Sequence, residues 1–308
     1  MKTKVAHVAL SLLFLIYIND FHLCSNILDF HLFADDASLF YKHQNLTSLQ
    51  TNINTELDKI YTWLCANKLT LNIEKSSYVL FHPTQRKIPF NLVLNIDQKE
   101  LKNEKYIKYL GILIDSNLSW KPHINYILKK VKRNCGILSK IRYFVDLKTR
   151  TKLYYSLIYP FLIYGILAWG STYPTTLDPL FKLQKKVIRV ITFSSFDEKH
   201  SPLFKRLDII KLNDITFLYI SVFMYKYHHS ILPPVFYNFF TKVKDIHKYN
   251  TRLSSKSSYS LPKTRTNYAI YNIRFQGVKI WNSLNEKTKD LSRTLFKKAI
   301  INDILNKY

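Results

Sequence analysis

Residues 121–152 constrain the fold of this chain more than any other segment. Apolar residues recur at helical spacing from Ile124 to Ile141, and the segment holds ten lysines and arginines against one acid, Asp146. The apolar face of such a helix has to be buried, so the basic side chains point outward together. The pattern therefore predicts one long amphipathic helix over residues 121–152 with a basic outer face.

The charge of the whole chain points in the same direction. Its 308 residues include 46 Lys and Arg but only 21 Asp and Glu, which gives a formal net charge of +25 at pH 7. A surplus of this size indicates a polyanionic partner, most often nucleic acid and less often an acidic membrane surface. The plainer alternative for the helix is a basic face that only water covers.

The composition also limits the kind of protein that the chain can be. Hydrophobic residues make up 47% and charged residues 22%, which permits a packed core and argues against wholesale disorder. The length favours about two domains of roughly 100–200 residues each. The chain has five glycines and no phosphate-binding glycine motif, which argues against a nucleotide site built on a glycine-rich loop.

The first 115 residues predict an α+β region whose strands pair antiparallel. Thr47 and Gln50 fit a capping box that opens a helix, and Asn67 and Lys68 fit its end. Short strands are predicted at Ser77–Phe81, Leu92–Ile96 and Ile107–Ile114. Later helices are predicted at Leu153–Ile166 with a break at Pro160, Leu177–Ile191, Lys211–His228, Ile270–Leu284 and Ser292–Leu305, with a surface loop or linker at 241–268.

The cysteines and a histidine pair do not form a recognisable metal site. Cys24, Cys65 and Cys135 are odd in number and match the spacing of no zinc module or disulfide scaffold. We therefore expect reduced, buried thiols in an intracellular protein. His228 and His229 are neighbours, and neighbouring residues of a helix do not face one ligand position.

The N-terminal segment has features of a signal peptide. Lys2 and Lys4 precede an apolar run from Val5 to Ile18, which is shorter than the roughly 20 residues of a membrane span. No small-x-small cleavage site follows the run. A secreted basic protein with Lys2–Ile18 as its signal is one alternative. Against it, we predict that residues 8–18 form a helix that packs on the rest of the N-terminal α+β region rather than a cleaved signal, because the segment leads directly into the next hairpin.

Asp35 and Asp36 form the motif that carries chemistry. They lie between two apolar runs within residues 30–41, as at the tip of a β-hairpin. A tight turn lets both carboxylates face one spot, where their repulsion needs a compensating cation. Mg²⁺ fits this need, because it prefers oxygen ligands and keeps several waters. The simpler alternative is a pair of polar turn residues.

The context of this pair resembles a known family. Phe33-Ala-Asp-Asp36 resembles the metal-binding FADD box of reverse transcriptases, particularly those of jockey-like non-LTR retrotransposons. Other segments resemble the same family in the same order: Leu12–Asp20, Leu69–Lys75, Tyr109–Ile112, Leu118–Trp120 with His123, Tyr159–Gly165 with Trp169, His247–Arg252 and Gly277–Asn282. Together these segments extend over nearly the whole chain.

The resemblance implies roles for individual residues. Asp35 would be the main metal ligand, Asp36 its weaker companion, and Lys75 a general acid near the leaving pyrophosphate or else a solvated surface lysine. The primer grip would comprise Tyr109, Leu110 and Gly111, which could otherwise be a buried strand with a bulge. The basic helix would be the thumb, holding the nucleic-acid backbone through Lys129, Lys130, Lys132, Arg133, Lys140 and Arg142.

The resemblance also implies domains and an activity. The domains would be a partial palm at 1–115, a thumb-like basic helical region at 116–172 and a helical C-terminal region at 173–308. The activity would be RNA-directed DNA polymerisation, in which a primer 3′-hydroxyl attacks a deoxynucleotide with Mg²⁺ or Mn²⁺ bound. The family's upstream aspartate, nucleotide-pocket segment and fingers have no counterpart here, so we expect a truncated polymerase that binds metal weakly and is inactive alone.

The expected partners follow from that activity. They are an RNA template and a DNA primer, paired as an RNA–DNA hybrid, with no membrane and no small-molecule cofactor beyond the deoxynucleotide. The expected location is intracellular, in the cytoplasm and nucleus. A residual nucleic-acid-binding protein that is indifferent to sequence is the second alternative.

Overall fold

The structure is a computed structural model that describes residues 12–83, 85, 92–246 and 258–308. The chain divides into two compact units: Met1–Lys108 with Asp115–Leu118, and Tyr109–Ile114 with Ser119–Tyr308. Backbone hydrogen bonds fix the return of the chain to the first unit, because Ser116 donates to the Lys105 carbonyl and accepts from the His82 N–H. The fold is α+β and mainly helical, which confirms the expected class.

The first unit combines two helices with short strands. The helices are α1, of which residues 12–17 are described, and α2, Leu46–Ala66. The strands are β1 Asp29–Phe33, β2 Asp36–Phe40, β3 Ser77–Tyr78, β4 Asn95–Ile96, β5 Lys99–Glu100 and β6 Lys102–Asn103. Two further strands, β7 Tyr106–Tyr109 and β8 Ile112–Asp115, form a hairpin where the chain passes between the units.

Helix α2 begins differently from the prediction. The Asn45 side chain accepts a 2.8 Å hydrogen bond from the backbone N–H of Thr47 and caps the helix. The predicted capping box is therefore wrong, and the Gln50 side chain instead accepts a 3.0 Å hydrogen bond from the backbone N–H of Val93. The predicted end of the helix is confirmed, because Asn67 is its C-cap.

The strand pairing departs from the prediction in one place. The pairs β1–β2 and β4–β5 are antiparallel, but β3 runs parallel to β6, with Ser77 opposite Lys102. A parallel pair needs a long crossover connection, and the segment between these strands provides one. Strands β3 and β4 are each shorter than predicted. Leu92 and Leu94 are buried without belonging to a strand, because an apolar run indicates burial rather than ladder hydrogen bonds.

The described part of the N-terminal segment packs on the first unit through Phe14 and Ile18, whereas other apolar residues of the segment are exposed: Leu12, Leu13, Leu15 and Ile16. Residues 12–17 are helical, in agreement with the described part of the predicted helix. Ile18 is buried in one cluster with Phe21, Ile60 and Leu64, so the end of this segment packs on α2. In the part of the chain that the structure describes, no helix combines the length and the apolarity needed to cross a membrane.

The second unit is helical after the β7–β8 hairpin. Its helices are α3 Lys121–Ile141, α4 Leu147–Leu157, α5 Tyr159–Ile163, α6 Ile166–Trp169, α7 Pro174–Thr192, α8 His200–Arg206, α9 Leu212–His228, α10 Asn267–Tyr271, α11 Ile273–Ser283, α12 Glu286–Lys289 and α13 Arg293–Asn306. One hydrophobic core joins them, with α3 against α7 and α9 against α11 and α13. The fully buried side chains of this core include Val131, Leu138, Leu180, Val187, Ile188 and Leu212.

The predicted single helix over residues 121–152 is two helices. The Asp146 carboxylate accepts a 2.9 Å hydrogen bond from the backbone N–H of Thr149 and caps α4, so the only acid of the segment marks the interruption. Residues 270–284 likewise divide, because Asn272 caps α11 through the Arg274 N–H. The predicted apolar stripe is confirmed, since its central members are buried: Ile124, Ile127, Val131, Cys135 and Leu138.

Other predictions have mixed outcomes. The break at Pro160 is confirmed, because α4 ends at Leu157 and α5 is a separate helix. All three cysteines are free thiols, but Cys65 is exposed and Cys24 half-buried, so the prediction of buried thiols holds only for Cys135. The motif at residues 247–252, and much of the predicted loop around it, lie outside the described residues.

Candidate functional site

The hairpin β1–β2 carries the acidic pair at its tip. Phe33 pairs with Asp36, so Ala34 and Asp35 are the two residues of the turn. Ala34 has a φ of 52°, the left-handed conformation that primed hairpin turns use at this position. Both carboxylates are exposed. The predicted hairpin with Asp35 and Asp36 at its tip is therefore confirmed.

The chemistry of this donor set decides how well a divalent cation fits. Two adjacent carboxylates offer the hard oxygen ligands that Mg²⁺ prefers. Among the described residues, however, no group of three or more His, Cys, Asp or Glu side chains lies close enough together to hold a metal ion. The described residues thus fit only a partial site, in which water would fill most coordination positions.

Lys75 lies in a separate segment of the first unit. It ends a short 3₁₀ helix, Ile73–Lys75, and its backbone N–H donates a 3.2 Å hydrogen bond to the Asn72 side chain. Its side chain is exposed. A groove of about 930 Å³ lies beside this segment, lined by residues 70–74 and by Lys99, Glu100 and Lys102. The lining mixes both signs of charge, so it has no preference for an anion.

The segment predicted as primer grip is the tip of the β7–β8 hairpin. Leu110 and Gly111 join the strands with φ angles of 45° and 83°. Positive φ at both central residues is the requirement of a type I′ hairpin turn. The prediction of one continuous strand at Ile107–Ile114 is therefore wrong, and Gly111 supplies a turn rather than a bulge.

This tip packs on a second segment that carries the family resemblance. The Tyr164 hydroxyl donates a 2.5 Å hydrogen bond to the Leu110 carbonyl, and a Cβ on Gly111 would lie 3.4 Å from the Tyr164 ring. A Cβ on Gly165 would lie only 2.3 Å from the Ile112 side chain. The Tyr-Leu-Gly-Ile and Tyr-Gly motifs are thus two sides of one contact.

His123 and Trp169 extend this contact into the core of the second unit. The buried Trp169 donates a 2.8 Å hydrogen bond to the Tyr164 carbonyl, and the His123 ring packs edge-on against it at 5.6 Å. His123 Nδ1 accepts the backbone N–H of Leu113 at 3.3 Å. Burial lowers the pKa of His123 to about 4, so this histidine is neutral at neutral pH. These motif residues hold the hairpin against the helices.

Helix α3 presents basic side chains along one face. Lys129, Lys132, Arg133 and Lys140 are exposed, and their spacing places them on the same side as the exposed Gly136. None of these four forms an ion pair within the part of the chain that is described. They constitute the basic face of α3, whose charge is left for solvent or for a polyanion.

The other two predicted thumb residues contact aromatic rings. Lys130 is partly buried, and its Nζ lies 5.4 Å from the centroid of the Tyr126 ring. Arg142 is the C-cap of α3, and its guanidinium lies 4.7 Å from the Tyr143 ring. The sequence reasoning missed a surface cluster around Arg142. The available signal was the pair of aromatics, Tyr143 and Phe144, directly after the basic helix.

Comparison with known proteins identifies relatives. The chain is 23% identical over 185 residues to the RNA-directed DNA polymerase from mobile element jockey of Drosophila melanogaster, covering 59% of this chain and 20% of that protein. It is 23% identical over 209 residues to the probable RNA-directed DNA polymerase from transposon BS of the same species, covering 65% of this chain and 22% of that protein. It is 24% identical over 186 residues to the probable RNA-directed DNA polymerase from transposon X-element of Drosophila melanogaster, covering 59% of this chain and 20% of that protein.

These matches define the extent of the relationship. No protein-family model and no solved structure matches the chain. The chain spans about a fifth of the length of the curated relatives that it matches. The matches confirm the resemblance to jockey-like retrotransposon reverse transcriptases that the ordered motifs indicate. The chain is therefore a relative of the RNA-directed DNA polymerases of the jockey, BS and X-element mobile elements.

Proposed function

We propose that this chain serves RNA-directed DNA synthesis by a non-LTR mobile element, and that it holds the hybrid of RNA template and DNA primer. The similarity to three mobile-element polymerases carries the proposal. The basic face of α3 supports it, because four exposed cations share one side of a helix whose other side is buried. In this proposal α3 belongs to the thumb.

Such a face binds nucleic acid through the phosphate backbone. Each lysine or arginine that meets a phosphate releases condensed counterions, so the affinity falls as salt rises. Backbone contacts fix position and carry no sequence information. The interaction is therefore indifferent to sequence and depends steeply on ionic strength.

The test is a variant in which Lys129, Lys130, Lys132 and Arg133 are changed to Gln. Fluorescence anisotropy with an RNA–DNA hybrid across a salt series should show weaker binding. The slope of log affinity against log salt should flatten by about one unit or less for each contact removed. Lys130 is half-buried against Tyr126, so three contacts account for most of the expected change.

Helix α13 offers a matched control with the same loss of charge. Its four exposed cations are Arg293, Lys297, Lys298 and Lys307, the last at its C-cap. Changing these four to Gln should leave hybrid binding close to that of the parent. If both variants lose affinity for the hybrid by the same factor, net charge alone determines that affinity. If the α3 variant binds the hybrid as tightly as the parent does, the thumb assignment is wrong.

We infer weak Mg²⁺ binding at Asp35 and Asp36, and no polymerisation by this chain alone. Mg²⁺ bound at a polymerase centre stabilises charge on the transferring phosphate. In this chain Asp35 and Asp36 would supply oxygen ligands to the ion, and Lys75 would donate a proton to the leaving pyrophosphate. The described residues gather no third carboxylate, and an incomplete charge environment is costly in rate. Primer extension on a homopolymer template should therefore give no product.

Changing both Asp35 and Asp36 to Asn tests the metal inference. Isothermal titration should show loss of the weak Mg²⁺ binding. The double variant should keep the parent melting temperature in metal-free buffer, or exceed it slightly, because repulsion between adjacent carboxylates is removed. A clear fall in melting temperature would indicate a structural hydrogen-bonding role, and primer extension by the parent would overturn the inference of inactivity. The two alternatives, a residual binder and a secreted protein, gain no support from the relatives.

A further inference from the structure

We propose that a second surface of the same unit binds unpaired bases of single-stranded nucleic acid. The surface is the aromatic–arginine cluster, which we define as Arg142, Tyr143, Arg150 and Phe193, flanked by Phe144 and Phe196. The inference rests on the proposed function, because it assigns a second form of the same nucleic-acid partner to residues outside the basic face of α3, including the predicted thumb residue Arg142.

Phe193 is the centre of the cluster. The guanidinium groups of Arg142 and Arg150 lie 4.9 and 4.5 Å from the centroid of its ring, and the Tyr143 ring lies 5.2 Å away. Arg142 Nη2 also donates a 2.6 Å hydrogen bond to the Tyr143 hydroxyl. Two positive charges therefore meet at one aromatic ring, in an arrangement held by cation–π attraction.

No acidic side chain of the described residues forms an ion pair with either arginine. The nearest acid in sequence, Asp146, caps α4 with its carboxylate and offers only its backbone carbonyl to Arg150, at 3.3 Å. Arg142 Nε and Arg150 Nη1 are enclosed and lack a hydrogen-bond partner among the described residues. The cluster thus holds uncompensated positive charge, which a phosphate would balance.

The aromatic side chains around these charges are open to solvent. Tyr143 is 67% exposed and Phe193 47%, and Phe144 and Phe196 are each 86% exposed. Rings this exposed contribute little to the core. Beside arginines they form the combination that recognises single strands, in which bases stack on rings while cations follow the backbone.

The backbone at Phe193 adds an independent observation. This residue ends α7 with a φ of 57°, in the left-handed conformation. Helices usually place glycine or asparagine at such an end, because a bulky side chain is strained there. Burial does not compensate for the strain, since Phe193 is an exposed residue. The ring is held in an unfavourable position at which it faces two arginines, which is the pattern of a functional residue.

Unpaired bases suit this cluster better than a duplex does. In a duplex the bases stack on each other, whereas in a single strand their faces are free for protein aromatics. The basic face of α3 has only the half-buried Tyr126 ring beside it, and Lys130 lies over that ring. The cluster therefore adds a preference for single strands, such as template that has not yet been copied.

The test uses a single-stranded RNA that carries 2-aminopurine, with the full chain. In the parent, binding should quench the 2-aminopurine fluorescence, because a stacked base emits less. Changing Tyr143 and Phe193 together to Ala should abolish the quenching and weaken single-strand affinity about tenfold or more. The salt slope should stay the same, because no phosphate contact is removed. Phe193→Tyr, made alone in the parent, keeps a stacking ring and should leave both the quenching and the single-strand affinity as in the parent.

The controls separate this inference from the proposed function. Hybrid affinity of the Tyr143/Phe193 variant should remain within about twofold of the parent, because stacking on unpaired bases contributes little there. Unchanged single-strand binding in that variant, with hybrid binding lost in the α3 variant, would overturn this inference alone. A parent that binds neither probe would overturn both. If the Tyr143/Phe193 variant loses affinity for vesicles of anionic phospholipid by the same factor as for single-stranded RNA, the cluster binds a membrane surface instead, and this inference is wrong.

Discussion

At the scale of single residues, His123 makes stability depend on pH. Burial lowers its pKa from 6.5 to about 4, so between these values the unfolded chain binds a proton that the folded chain does not. The free energy of unfolding should therefore decrease as pH falls from 6.5 to 4, by at most about 1.4 kcal/mol per pH unit from this residue. Urea unfolding of the parent at pH 7, 6, 5 and 4.5 measures the decrease.

His123→Gln isolates that contribution. Glutamine does not titrate, and its carbonyl can still accept the Leu113 N–H, so the variant should lose less stability than the parent between pH 6.5 and 4. Burial also lowers the pKa of His200 and of His228, with smaller effects from nearby basic side chains, first Lys185 for His200 and His229 for His228. Both histidines remain in the variant, so the difference between the two curves reports His123 only. Parallel curves would contradict a neutral, buried His123.

Residue-level prediction succeeded where local sequence decides the outcome. Two apolar runs around Asp35 and Asp36 determine a hairpin, and the structure has that hairpin with the pair at its tip. The turn at Leu110 and Gly111 was missed, because the apolar run continues through it and one glycine fits either a bulge or a turn. The roles of these residues in catalysis and primer binding remain predictions.

At the scale of elements, alanine substitutions at Gly136 and at Gly170 should change the stability of the protein in opposite directions. Gly136 lies inside α3, and an added Cβ would meet nothing within 4 Å. Gly136→Ala should raise the free energy of unfolding by about 0.5–1 kcal/mol, because glycine loses more backbone entropy on entering a helix.

Gly170→Ala should lower the free energy of unfolding by about 1–3 kcal/mol, because the added Cβ would lie 2.6 Å from the Ile166 carbonyl oxygen and 2.7 Å from Thr216 Oγ1. Chemical denaturation of the two variants beside the parent measures both, and a destabilising Gly136→Ala would contradict the open surroundings.

Helix faces were predictable from sequence, but helix boundaries were not. The buried stripe of α3 follows from apolar spacing alone, as Val131 and Leu138 show. The interruptions at Asp146 and Asn272 depend on one side chain that binds a backbone N–H group of the following turn. The helical spacing of apolar residues in the sequence continues across such a cap, so the spacing does not show where one helix ends. A short polar side chain also fits a cap or a solvated helix face equally well.

At the scale of the whole molecule, the sequence supplied motifs but not their contacts. The Tyr164 hydroxyl binds the Leu110 carbonyl across 54 residues, and Phe193 contacts Tyr143 across the turn and helices between them. Each partner has a local pattern, but no local pattern specifies which distant surface it meets. The aromatic–arginine cluster was missed for this reason, although its charge belongs to the +25 surplus that indicated a polyanion from the start.

The path of the chain between the two units limits how such a protein can be recombined. Because Asp115–Leu118 belongs to the first unit and Tyr109–Ile114 to the second, the chain passes between them three times within a dozen residues. A genetic crossover at Leu110 or Gly111 would separate β7 from β8, and one anywhere between Lys105 and Ser116 would separate the backbone groups that these two residues pair. Exchange between related chains should therefore preserve residues 105–116 as one block, with breakpoints on either side of it.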